Sequence, residues 1–66
     1  MPSTVIDRVE YDPENRILSV VFQSGRVYYY KEVPQGIYLT LRAARSKGRY
    51  LNNYIKGVYE FESSNT

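Results

Sequence analysis

The chain has 66 residues, nine basic and seven acidic side chains, a formal charge of only +2, and neither cysteine nor histidine. That composition excludes disulfide staples, thiolate metal sites, the commonest general base and the commonest zinc ligand. So short a chain is one domain that buries only about 60% of its unfolded surface, which leaves a thin margin of stability.

Residues 4–11 alternate, with Val5, Val9 and Tyr11 on one parity and Arg8, Glu10 and Asp12 on the other, the period of a half-buried strand. Asp7 breaks the apolar parity and Ile6 sits on the polar one, which an edge position or a bulge explains. Asp12-Pro13-Glu14-Asn15 is a turn, because Asp bonds the backbone ahead of it and Pro presets φ. Residues 16–23 form a second strand, with Leu18, Val20 and Phe22 on one face and some apolar character (Ile17, Val21) on the other. Ser24-Gly25 supplies a tight reversal. Residues 26–33 form a third strand, with Tyr28 and Tyr30 facing the core and Val27, Tyr29 and Lys31 on the far side. Such a three-stranded antiparallel meander has one apolar face and needs a cover.

Pro34 suits the first turn of a helix. At about 100° per residue, Ile37, Tyr38, Leu41 and Ala44 share the arc that lies on the sheet, and Leu39 points away. Ser46 is a good N-cap and Gly57 a good C′ residue for a second helix. In it Tyr50, Leu51, Tyr54 and Ile55 form the docking arc, and Arg49, Asn52, Asn53 and Lys56 the opposite one. Residues 58–61 leave room for a short fourth strand. Residues 62–66 are polar and expected to fray. The expectation is an α+β domain over residues 3–61: an antiparallel three-stranded meander, with or without the fourth strand, covered on one face by two helices.

Charge is segregated along this order. Nothing between Glu32 and Glu60 is negative, and five of the nine basic residues (Arg42, Arg45, Lys47, Arg49, Lys56) fall in residues 42–57. Tyr50, Tyr54 and two asparagines are interleaved with them. Cations, rings and amides on one segment suit a nucleic acid: cations for phosphates, amides for base edges or sugar hydroxyls. The candidate contacts are Arg42, Arg45, Ser46, Lys47, Gly48, Arg49, Asn52, Asn53 and Lys56. Arg49 and Lys56, seven residues apart, are expected two helical turns apart along a groove. Arg45 and Lys47 flank an N-cap whose free N–H groups favour an anion, with Ser46 adding its hydroxyl and Gly48 a close backbone approach. On the other face of the sheet, Tyr29 with Arg26 and Lys31 offers a stacking platform. The competing reading of the basic run is a solvated surface.

Other chemistry has less support. Without His or Cys, a nucleophile would have to be Ser, Tyr or Lys, and no enzyme is expected. Asp7, Glu10, Asp12 and Glu14 lack calcium-loop spacing, and the turn accounts for Asp12 and Glu14. No metal or cofactor is expected. A protein-interaction module or small accessory subunit is the alternative, through Ile6, Val21, Tyr29 and Leu39, which the arcs leave outside the core. No run approaches the roughly 18 apolar residues of a membrane span, and no signal peptide follows Met1-Pro2. The expectation is a soluble, cytoplasmic monomer or weak homodimer.

The residue order is also familiar. Tyr28-Tyr29-Tyr30 ends a strand, Val33-Pro34 and Ile37-Tyr38 follow, then Ser46-Lys47-Gly48-Arg49-Tyr50-Leu51-Asn52, and Ile55-Lys56-Gly57 before Tyr59. This resembles the KTSC domain, a module named for its presence at the C-terminus of some lysyl-tRNA synthetases and also found as a stand-alone bacterial protein. The resemblance spans about residues 3–61. It implies a bacterial or phage protein with no established activity, for which RNA binding has been suggested, and it places RNA before DNA as the expected partner. With no synthetase body in these residues, any link to tRNA is expected to be indirect.

Overall fold

The structure is a computed structural model that describes residues 6–64. Four strands, β1 (Ile6–Asp12), β2 (Ile17–Phe22), β3 (Val27–Tyr30) and β4 (Phe61–Ser64), form one antiparallel sheet in the order β1-β2-β3-β4. Between β3 and β4 the chain forms α1 (Gln35–Ala43), then α2 (Lys47–Tyr50), which widens directly into a π-helical turn (Leu51–Ile55). The expected α+β meander under a helical cover is the observed fold, and its shortest dimension of 19 Å is two layers at about 10 Å each.

Register follows from the alternation of β2. Leu18 lies opposite Tyr11 and Tyr30, and Val20 opposite Val9 and Tyr28, so all six point to one face. The irregularity in β1 is a bulge: pairing shifts between Ile6 and Arg8, and the extra residue is Asp7. The bulge returns Ile6 to the inner face opposite Phe22, where it packs on the core. Ile6 is therefore not part of an exposed patch. Thr4 and Val5, also expected in this strand, lie outside the described residues.

The first turn is built by Asp12, whose Oδ1 accepts from the Glu14 and Asn15 N–H groups while Oδ2 accepts from the Asn15 side chain. The Asn15 bond, ahead of the backbone ones, holds the Asp12 carboxyl below its ordinary value. Arg16 completes the turn at φ 57, and Gly25 provides the second reversal at φ 96.

The fourth strand lies three residues later than residues 58–61. Residues 62–64 do not fray as expected, because the open edge of β3 offers them a ladder: Phe61 pairs with Tyr30, Glu62 with Tyr29, Ser63 with Tyr28 and Ser64 with Val27. Asn65 and Thr66 lie outside the described residues.

Leu18, Val20, Phe22, Tyr30, Val33, Leu41, Leu51 and Ile55 form the buried core. Leu41 is the fully buried residue of α1, with Ile37 and Tyr38 packed beside it. Tyr11 anchors α1 from the sheet: its ring stacks on Tyr38 at 5.1 Å and its hydroxyl donates to the Val33 carbonyl. Leu39 is exposed.

Ser46 caps α2 as expected, its Oγ accepting from the Arg49 N–H, and Gly57 ends the helical stretch at φ 84. Between them the geometry departs from an α-helix. The Lys56 N–H bonds the Leu51 carbonyl five residues back, at 2.7 Å. In this wider turn Ile55, four residues on, comes back over Leu51, and both are buried. Tyr54, three residues on, falls short of the docking arc; it is 57% exposed and rests against Tyr50.

Because Leu41 is fully enclosed between the two layers, Leu41→Ala leaves a cavity and is expected to lower stability by about 2–5 kcal/mol, read as a fall in the urea midpoint.

Candidate nucleic-acid interface

The residues expected to contact nucleic acid all lie in the helical layer. Arg42 is in the last turn of α1, Arg45 and Ser46 are in the extended linker, Lys47, Gly48 and Arg49 are in α2, and Asn52, Asn53 and Lys56 are in the π-helical turn and its cap. Arg42, Arg45, Arg49, Asn52, Asn53 and Lys56 are exposed, while Lys47 and Gly48 are half-buried.

Their charge is not neutralised by any carboxylate of the described residues. The ion pairs among the described residues are Arg8 with Asp7 and Glu10, and Lys31 with Glu62. Three acids are thus held on or beside the sheet, and a fourth, Asp12, is occupied in the first turn. Among the described residues no ion pair involves Arg42, Arg45, Lys47, Arg49 or Lys56.

Three details of the expected geometry change. The π-helical widening and the extended backbone of Lys56 (φ −66, ψ 126) mean that Arg49 and Lys56 are not aligned two α-turns apart. The α-helical part of α2 is four residues long and its Ser46 oxygen is already used as a cap, so the N-terminus is a poor anion cradle. The stacking platform around Tyr29 is not assembled either. Lys31 is paired with Glu62 at 2.9 Å, directly across from Tyr29, and Glu10 lies on the same face two strands away. The Glu62 hydrogen bond raises the Lys31 pKa.

Arg26, expected beside Tyr29, is instead on the inner side. It borders a cleft of about 170 Å³ between the Ser24–Gly25 hairpin and the π-helical turn, together with Asn52 and Lys56. Phe22 and Leu51 give this cleft apolar walls, and Tyr28 and Tyr30 line it as well. Sequence reasoning assigned Tyr28 and Tyr30 to the core; the missed signal was Arg26 sharing their parity.

Tyr30 is only 1% exposed. Among the described residues the one phenol with a protein hydrogen bond is Tyr11, yet no buried polar side-chain atom lacks a partner. Tyr30, whose hydroxyl has no hydrogen-bond partner among the described residues, is one of the residues that line the cleft. Burial, and then the neighbouring Tyr28, push the Tyr30 phenol above its ordinary value of 10.0.

The KTSC domain family model matches residues 2–59. The chain belongs to the KTSC family. A KTSC domain protein of Yersinia pestis, known from a crystal structure, is similar with a TM-score of 0.85 and 33% identity, over 98% of this chain and 92% of that one. A protein of Tsukamurella paurometabola is 41% identical over 82% of this chain and 81% of its own length. The lysine–tRNA ligase of Nostoc punctiforme is 39% identical over 89% of this chain, which spans only 10% of that enzyme. Among the described residues of this KTSC domain, no helix is long and apolar enough to cross a membrane.

The raised Tyr30 pKa has a signed consequence. A group that holds its proton more tightly when folded contributes stability that is complete below the unfolded value, about 10, and lost as pH rises through the folded one. Alkaline titration followed by phenolate absorbance should show an ionisation above pH 10.0 that disappears in Tyr30→Phe.

Proposed function

We propose that this KTSC domain is a non-enzymatic nucleic-acid-binding module, with RNA the preferred partner over DNA, working through the helical layer. The observation that carries this reading is the set of five cations between residues 42 and 56, free of ion pairs among the described residues while carboxylates of the sheet side are engaged elsewhere. Phosphates compete for such cations without first displacing a protein carboxylate, and binding gains from released counterions. RNA takes precedence because lysine–tRNA ligases of Nostoc punctiforme, another Nostoc strain and Trichormus variabilis contain a similar segment, 10% of each enzyme's length.

A protein-interaction role is the second reading, and one observation favours it: no element among the described residues covers the outer sheet face, where Val21 and Val27 are half-buried and Tyr29 is 40% exposed. That surface is narrower than the set Ile6, Val21, Tyr29 and Leu39, because Ile6 packs inward and Leu39 sits in the helical layer. Salt separates the two readings, since an apolar contact does not weaken as phosphate contacts do.

The double variant Arg49→Glu, Lys56→Glu tests the leading one. Both side chains are exposed, and Glu at position 49 completes a capping box with Ser46, so the fold should persist. Binding of single-stranded RNA at physiological salt should be lost. At low salt the slope of log K against log salt should shrink by about 1.4, two contacts at about 0.7 each. Unchanged affinity and slope, measured by fluorescence anisotropy, would remove the helical layer from the function.

A further inference from the structure

The cleft beneath the Ser24–Gly25 hairpin has a chemistry distinct from the solvated cations around it. The cleft measures about 170 Å³. That is below the roughly 300–1,000 Å³ of ordinary ligand pockets. A duplex cannot enter it, but a single heterocycle can. Its walls divide by character. Phe22 and Leu51 offer apolar contact, whereas Asn52, Ser24 and the Tyr30 hydroxyl offer donors and acceptors. Tyr30 is the informative residue: it is 1% exposed, it lines the cleft, and its hydroxyl has no protein partner among the described residues. Two cations, Arg26 and Lys56, border the cleft, and no carboxylate of the described residues lines it.

We propose that this cleft is a subsite for one unstacked nucleotide of a single strand. The base enters between the apolar walls, its edge meets Asn52 and the Tyr30 hydroxyl, and its phosphate lies against Arg26 and Lys56. The subsite rests on the nucleic-acid reading and sharpens it, because it makes the domain a reader of single strands. An inorganic anion has no use for Phe22 and Leu51, and a metal ion finds no carboxylate, thiolate or imidazole in the lining. Asn52 and Lys56 belong to both the cleft and the basic layer, so a strand whose backbone follows the cations passes the mouth of the cleft.

The test compares four probes by NMR titration at one salt concentration: a short single-stranded RNA, an abasic ribose-phosphate strand of equal length, duplex RNA, and free nucleoside 5′-monophosphates. The single-stranded RNA should bind about five- to 150-fold more tightly than the abasic strand, the range for one base held by stacking contacts, and more tightly than the duplex. Tyr30→Phe, which keeps the ring, should cut that preference severalfold while leaving abasic-strand binding unchanged, and Asn52→Ala, which changes an exposed side chain, should cut the preference as well. If RNA and the abasic strand bind equally, and neither variant matters, the subsite is overturned while the phosphate-binding surface stands. Monophosphates shifting Arg26, Tyr28 and Asn52 with no RNA binding would overturn both, leaving a site for free nucleotides. Binding by none of the four would also sink both.

Discussion

A four-stranded sheet with one apolar face must find a cover within the same short chain, and here the cover is supplied by three aliphatic side chains. Leu41 from α1 and Leu51 and Ile55 from the π-helical turn close over Leu18, Val20, Phe22 and Tyr30. The exposed cations lie on or beside the turns that carry these three buried residues. In a domain with a thin stability margin the basic surface and the core are two sides of the same few turns of helix.

The π-helical turn has consequences on both sides. Inward, the i→i+5 bond from Lys56 to Leu51 brings Ile55 over Leu51 and completes the core. Outward, it displaces Tyr54 from the docking arc and leaves Asn52 and Lys56 at the rim of the cleft. Single π-type turns within α-helices are uncommon and often occur at functional sites, and this one borders the cleft.

Electrostatics sorts the two layers. Acids on the sheet and its first turn are taken up by Arg8, by Lys31 and by the backbone of residues 14 and 15. Those pairs are exposed and contribute little stability. Their effect is on the field, because they leave the helical layer uniformly positive. The edges are managed by the same residues: the charged, bulged β1 and the four-residue β4 carrying Glu62 both discourage strand addition.

Much of this was legible in the linear order of residues, and the boundary has a physical cause. Period-two alternation in residues 17–22, the Asp12 turn, Ser46 as a cap and Gly57 at positive φ are local preferences that the chain expresses wherever it folds. The acid-free run is likewise a property of the sequence alone. What needed three dimensions were features set by non-local partners. Leu51 and Ile55 are four residues apart, a spacing that fits an α-helix and a π-turn equally, and the core decided between them. Glu62, Ser63 and Ser64 have little strand preference of their own, and the unpaired edge of β3 recruited them. Arg26 and Asn52 lie far apart along the chain, and only the docking of helix on sheet makes them walls of the same cleft.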